Sequence, residues 1–393
     1  MMKIKNKLIL LNIVLIISVF LLSCAETPQC DEANDPNISI ELSKIPFELR
    51  NANSMVEQIP LDFLDMNEIG NLFVLAATSN MILFTTISME TRNRGAQFVP
   101  HEVMFLYDIV RHELIAEIDM SGYDHVITDA VIFDNSIIYI STQMYGIDNI
   151  YFVNRYDISS GKTAIMRTIY SQCSFEPNLQ RVDDGYLIFY ADFELGVYVV
   201  EFVSYNQDTE ILYSNSFESG MPFSPGHFQA FGSTFAFFES YNNNDYFFTG
   251  NISGEYQRIP LTKRVHDFSI LAQGIVTSHP HPAVMSNITR YLEFMSFCGQ
   301  TTARLDGFRI LRTITNGSAI LGWADWWCDY RRYQASSLML ITYADESLYA
   351  HIINFLGAGS SPHIVSINET TWLLVSSFVS IEQDIGIFKL KIL

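Results

Sequence analysis

The sequence predicts an all-β chain folded as a ring of seven four-stranded antiparallel sheets, and three observations carry that reading. First, a turn followed by a short apolar or aromatic run recurs seven times, as "SNMILFTT", "DNSIIYIST", "DDGYLIFYAD", "FGSTFAFFES", "QGIVTS", "NGSAILGWAD" and "NETTWLLVSS". Second, the turn residues Asn80, Asn135, Gly185, Gly232, Gly274, Gly317 and Asn368 are 55, 50, 47, 42, 43 and 51 residues apart. That period exceeds any β-helix coil and falls in the range of radially repeated blades. Third, the second repeat resolves into four strand-like runs, "VITDAVIF", "SIIYIST", "IYFVNRYD" and "TAIMRTIY", with short turns between them. They are rich in β-branched and aromatic residues and have no 3.6-residue stripe.

The chain begins with Lys3, Lys5 and Lys7 ahead of an apolar run from Leu8 to Leu22. This is the pattern of an export signal, and the run is shorter than the roughly 20 residues a membrane-spanning helix needs. "LLSC", ending at Cys24, resembles the lipobox of bacterial lipoproteins. The resemblance implies a signal at residues 1–23 removed before Cys24, lipid on that cysteine, and, with Ala25 following it, placement in the outer membrane of the cell envelope. Residues 24–50 then form the lipidated start and a flexible tether, whose "AETPQCDEANDPN" is acidic, contains Pro28 and Pro36 and has no apolar period. Residues 51–393 form the repeating body.

Within the body the seventh repeat supplies "HIVSI", "TWLLVSSF" and "IGIFKLKIL" and stops at Leu393 one strand short. Ahead of the first repeat, "MVEQIPLDF" matches the fourth strand "YQRIPLTK" of the fourth repeat. An N-terminal strand is therefore expected to complete the last sheet. That closure resembles the clasp of β-propellers, and the resemblance covers residues 55–393 at the level of architecture. It extends to no named subfamily, because the Trp-Asp signature of the third strand is missing.

Composition limits function. The chain carries 43 acidic against 23 basic residues, a net charge of −20, which repels nucleic acid and anionic lipid headgroups. It is 49% hydrophobic and 13% aromatic, enough for a large core. Cys30, Cys173, Cys298 and Cys328 can form disulfides in an oxidising compartment, but sequence does not assign their partners.

On this architecture function resides in loops. Connections between second and third strands share a face with the blade-to-blade connections, and three are long: "SMETRNRGAQFVPH", "HPHPAVMSNIT" and "DWWCDYRRYQAS". The last places Trp326, Trp327, Tyr330 and Tyr333 beside Asp325, Asp329, Arg331 and Arg332, flat apolar surfaces among planar donors and acceptors, as glycan or peptide recognition requires. The same tryptophans would equally serve as packing between blades. His279 and His281 flank Pro280, and with Asp325 they are the residues that could hold a metal; lacking a specified third ligand, the pair reads as a polar loop, and no metal or cofactor is expected.

Catalytic motifs fail on inspection. "HEVMF" and "HELIA" have Phe105 and Ala116 where a zinc-protease helix needs its second histidine. "SSGK" at Ser159–Lys162 fits S-x-x-K but reads as a hairpin turn, and "GAGSS" lacks the glycines of a dinucleotide site. The expectation is a lipid-anchored extracytoplasmic protein that binds a glycan, a peptide or a partner protein through repeats five, six and one. A propeller polysaccharide lyase or glycosidase using His279, His281, Asp325 and Arg331 is the first alternative, and a structural subunit of an envelope complex the second.

Overall fold

Alternating apolar strands can bury both faces only if each sheet is sandwiched between two others, and the chain does this by closing seven sheets on themselves. A computed structural model describes residues 50–51, 54–65, 69–88, 103–120, 125–133, 135–145, 148–172, 176–216, 228–241, 244–261, 265, 267–280, 290–306, 308–315, 317–327, 334–353, 363–368, 370–376 and 386–392. The expected signal, Cys24 and the tether up to residue 49 lie outside them, as does "GAGSS". The described residues belong to one compact unit, Glu48–Leu393. Among them no helix is long and apolar enough to cross a membrane.

Two strands, β1 (Arg50–Asn51) and β2 (Ser54–Gln58), precede the first repeat. Blade 1 is β3 (Ile69–Ala77), β4 (Met81–Ser88), β5 (Val103–Asp108) and β6 (Glu113–Asp119). Blade 2 is β7 (His125–Phe133), β8 (Ser136–Tyr145), β9 (Asp148–Asp157) and β10 (Lys162–Gln172). Blade 3 is β11 (Asn178–Val182), β12 (Gly185–Asp192), β13 (Val197–Ser204) and β14 (Thr209–Ser216). Blade 4 is β15 (Gln229–Phe231), β16 (Thr234–Tyr241), β17 (Asn244–Asn251) and β18 (Tyr256–Pro260). Blade 5 is β19 (Asp267–Leu271), β20 (Gly274–Pro280), β21 (Arg290–Ser296) and β22 (Thr301–Asp306). Blade 6 is β23 (Phe308–Thr315), β24 (Ala319–Trp327), β25 (Gln334–Ala344) and β26 (Ser347–Ile353). The chain ends in β27 (His363–Asn368), β28 (Thr371–Ser376) and β29 (Gly386–Ile392).

Each blade is an antiparallel meander. The first strands touch in cyclic order, β3 to β7, β11, β15, β19, β23, β27 and back to β3, so the sheets form a closed seven-bladed propeller. Seven apolar clusters fill the seven clefts between neighbouring blades. One of them packs Phe189, Tyr198 and Leu212 of blade 3 against Phe235, Phe237 and Phe248 of blade 4. Burial on both faces explains the runs that announced each repeat: in β12, Tyr186, Leu187, Ile188 and Phe189 are all buried.

The turn signals have a local cause as well. A side chain at Gly185 would place its Cβ 2.1 Å from the carbonyl oxygen of Val203, and one at Gly274 would come 2.4 Å from that of Met295. Only glycine lets the third strand cross so close. The first turn of a blade is also bracketed to its third. The amides of Ile109, Ile158, Tyr205 and Ile252 donate to the carbonyls of Asn80, Asn135, Asp184 and Ser233 at 2.9–3.2 Å.

The last blade closes as expected. Strand β2 pairs antiparallel with β29, Ser54 opposite Ile392 and Gln58 opposite Phe388, and the Ile59 amide continues the ladder to Ile387 at 2.8 Å. The matched "QIPL" and "RIPL" take equivalent places, with Ile59 and Ile259 both buried. The chain then crosses to blade 1, where Phe63 stacks on Tyr107 with ring centroids 5.5 Å apart and the Tyr107 hydroxyl donates to the Pro60 carbonyl at 2.8 Å. Unforeseen was β1, which pairs in parallel with the outer edge of blade 6 through Arg50 and Asn51.

Inner strands are also joined by side chains. Asp129 on β7 accepts from the Leu179 amide of blade 3 at 2.7 Å and from the Ala130 amide at 2.9 Å. Asp129 is half-buried, and the protein displaces water from its carboxyl. That desolvation pushes it up to about 7, while the two amides oppose the rise and Glu176 adds to it. Gln229 plays the same part between blades 4 and 5, donating to the Phe268 carbonyl at 2.8 Å and accepting from the Ile270 amide at 3.3 Å.

Two outcomes are expected. Removing residues 1–47 should leave the melting temperature of the propeller unchanged, whereas removing residues through Phe63 should lower it by many degrees and cause aggregation, because the edge of β29 is then bare; equal melting of the two truncations would contradict the clasp. Asp129 should make stability depend on pH with a definite sign. Its folded value lies above the ordinary 3.8, so its contribution is present at acid pH and is lost as pH rises toward 7. Denaturant titrations from pH 4 to 8 should show Asp129→Asn destabilised relative to the parent most at the acid end, with the gap narrowing toward neutrality.

Candidate functional site

Strand direction sorts the connections into two faces. The first-to-second and third-to-fourth connections, such as residues 109–112, 158–161, 205–208, 252–255 and 297–300, are short turns on one face. The second strands end and the third strands begin on the other; in blades 1, 5 and 7 the residues between them, 89–102, 281–289 and 377–385, lie outside the described residues. "SSGK" sits on the turn face, where Asp157 accepts from the Ser159 hydroxyl at 2.7 Å and the Ser160 amide at 2.8 Å. Those bonds lower Asp157 to about 2 and make the segment a capped turn. Val103 and Glu113 begin strands just after His101 and His112, which rules out a zinc-protease helix at either place.

The expected recognition residues divide unevenly. Asp325, Trp326 and Trp327 belong to β24, opposite Ser336, Ala335 and Gln334 of β25. They are therefore strand residues at the loop-face end of blade 6, which corrects their assignment to a loop. Tyr330, Arg331, Arg332, Tyr333 and His281 lie outside the described residues. His279 also proves to be a strand residue, opposite Tyr291, and is 4% exposed. Its Nε2 lies 2.7 Å from the Thr277 hydroxyl and 3.5 Å from Glu293, and its ring stacks on Tyr291 at 5.0 Å. The guanidinium of Arg304 covers the same tyrosine at 3.8 Å. Thr277 and Glu293 thus address the same imidazole nitrogen. Among the described residues no three metal-ligating side chains converge.

Charge inside the clefts was not anticipated. Between blades 2 and 3, Glu201 accepts from Arg167 and from the Tyr190 hydroxyl, the latter at 3.0 Å. Between blades 3 and 4 the wholly buried Glu239 accepts through Oε1 from Tyr198, from Tyr213 at 2.9 Å, from Asn215 at 3.0 Å and from Arg258 at 3.1 Å. Its Oε2 has no well-aligned hydrogen bond but lies 2.8 Å from Arg258 Nε, close enough for charge compensation. Burial, reinforced by Glu201, pushes Tyr186 and Tyr190 up to about 12, and burial with the Glu239 bond raises Tyr198 further. These phenols stay protonated donors at neutral pH. The clue in sequence was a lone glutamate within an apolar strand, as in "VYVVEFVS", "TFAFFES" and "RYLEFMS". Glu201 and Glu239, closed to solvent, join neighbouring blades, whereas Glu293 meets His279 within its own blade.

A cavity of about 380 Å³ lies where the clasp meets blade 7, lined by Gln58, Ile59, Pro60, Leu61, Asp62, Leu64 and Gly386. It has no convergent acid and base.

No protein-family model matches the sequence, and no curated relative matches it. Solved structures with which the chain shares a shape include Hsv2 of Kluyveromyces lactis, at 10% identity and TM-score 0.46 over 77% of this chain and 90% of that one. The β-propeller domain of the Trilobed protease from Pyrococcus furiosus, described as having an open velcro topology, is 9% identical with TM-score 0.42 over 65% and 80%. Hydrazine synthase of Kuenenia stuttgartiensis is 10% identical with TM-score 0.40 over 61% and 70%. These values add nothing on function.

Arg258→Met is expected to lower stability by about 3 kcal/mol, because Glu239 is left buried with its charge unpaired. The double variant Arg258→Met, Glu239→Gln should recover part of that loss in denaturant unfolding, and a double variant no better than the single one would contradict the pairing.

Proposed function

We propose that the protein is a lipid-anchored extracytoplasmic binding protein that recognises a glycan, a peptide or a partner protein through the loop face of blades 5, 6 and 1. The observation that carries this reading is the asymmetry of the two faces. Short, hydrogen-bonded turns close one, and on the other the second and third strands of blades 1, 5, 6 and 7 are separated in sequence by residues 89–102, 281–289, 328–333 and 377–385. Strand β24 carries Asp325, Trp326 and Trp327 to the edge of that second face, next to Tyr330, Arg331, Arg332 and Tyr333 in sequence. Tryptophan, tyrosine and arginine, close together in sequence here, are the residue types of which binding hot spots are made.

Two further points support the compartment. Cys298 is disulfide-bonded, and disulfides persist where proteins are exported; its partner lies outside the described residues. The sequence before the propeller has the form of a lipoprotein signal with Cys24 as the lipidated residue, and a tether of that composition would let the loop face reach a ligand without constraint from the anchor. A net charge of −20 favours neutral or basic ligands and disfavours nucleic acid.

The test has two arms. Arrays of glycans and peptides probed with the propeller should retain it, and Arg331→Ala, Arg332→Ala with Trp327→Ala should weaken retention at least tenfold, about 1.4 kcal/mol, at unchanged melting temperature. In cells, labelled fatty acid should enter the parent and not Cys24→Ser. Retention unaffected by the loop-face changes would move the site elsewhere, and label in Cys24→Ser would remove the anchor.

A further inference from the structure

The outer strands of four blades carry the same irregularity. One extra residue is inserted at Ile115 in β6, Met166 in β10, Leu212 in β14 and Thr302 in β22. A bulge at this position twists the free edge and bars a further strand from pairing with it. In blade 5 the bulge is built from Thr301 and Thr302, so the irregularity itself does not require apolar residues. In blades 1, 2 and 3 the same place holds Leu114 and Ile115, Ile165 and Met166, and Ile211 and Leu212. All but Leu212 are exposed, Ile165 at 62% and Ile211 at 60%. Val110, in the turn just before β6, is 65% exposed.

Three adjacent blades thus show apolar side chains at one height on the outer wall, nearer the turn face than the loop face. Together they expose on the order of several hundred Å² of apolar side chain, spread over the three outer strands β6, β10 and β14. Exposed acids flank those of blades 1 and 3: Glu113 and Glu117 on β6, Asp208 and Glu210 at β14. Among the basic residues there, Lys162 and Arg111 are exposed, Arg111 at 3.8 Å from Asp108.

We propose that the outer wall of blades 1–3 is a docking surface for an amphipathic helix of a partner protein, apolar along one side and flanked by lysine or arginine. The bulges disfavour strand addition at this height, so a partner there meets side chains and satisfies its own backbone, as a helix does. The flanking carboxylates set the sign of its charges, and the net charge of −20 disfavours both a second copy and an anionic bilayer. This wall is separate from the loop face, and the proposal stands whether or not that face binds a ligand.

The probe is a fluorescent amphipathic helix of leucine and lysine, with a leucine and glutamate helix as control, titrated against the full chain at physiological salt. The lysine helix should bind and the glutamate helix should not. Ile165→Asp with Ile211→Asp should weaken binding at least tenfold although it adds two negative charges, and Ile165→Thr with Met166→Thr, which copies blade 5, should weaken it without lowering the melting temperature. Equal or tighter binding by the Asp variant would show attraction by charge alone and overturn the proposal. So would no binding by the parent, self-association of the parent in sedimentation that the variants lose, or equal capture by vesicles of neutral phosphatidylcholine.

Discussion

The fold depends on backbone hydrogen bonds between two strands from opposite ends of the chain. Without β2, β29 would present a row of unpaired amides and carbonyls, and the last blade would be a three-stranded sheet held to the first only by the apolar packing of Leu373 and Ile387 and the contact of β27 with β3. Strand β2 supplies that ladder, and the residues after it carry Phe63 onto Tyr107 of blade 1. Every other cleft is bounded by blades consecutive in sequence, whose encounter costs little loop entropy. Closure must offset the entropy of joining the ends of a chain of several hundred residues, a cost that grows only slowly with length.

The clefts add selectivity to closure. Apolar packing alone is tolerant, since one aromatic pair resembles another in size and shape. A buried glutamate that needs one arginine and two tyrosines is far less tolerant. Glu239 draws donors from strands on both sides of its cleft, Tyr198, Tyr213 and Asn215 from blade 3 and Arg258 from blade 4. Such a group is weak evidence for added stability, but it gives a wrong pairing of blades a large desolvation cost. Asp129 and Gln229 do similar work nearer the axis with backbone partners.

How much was legible in the sequence follows from what each residue depends on. Second strands were plain because both faces of each are buried and because Gly185 and Gly274 are required by a close backbone crossing. The clasp was legible because "QIPL" and "RIPL" share a position in their blades. The ends of β20 and β24 were not: Pro280 suggested that a loop had begun, yet a proline is tolerated where a strand ends. Asp325, Trp326 and Trp327 looked like loop chemistry, yet tryptophan fits a paired strand well. The partners of Glu239 were hidden for a different reason. They are spread over dozens of residues, and only the ring brings them together. Four of the nine expected recognition residues, Asp325, Trp326, Trp327 and His279, prove to be strand residues.

Native-state hydrogen exchange measured strand by strand is the most direct test of the central claim that the two ends of the chain share one ladder. Amides of β2 that pair with β29 should exchange as slowly as those of β12 in the middle of blade 3, and both should open only with global unfolding. Exchange of β2 and β29 at the rate of frayed termini, with β12 still protected, would contradict the account and leave the ring open between its last blade and its first.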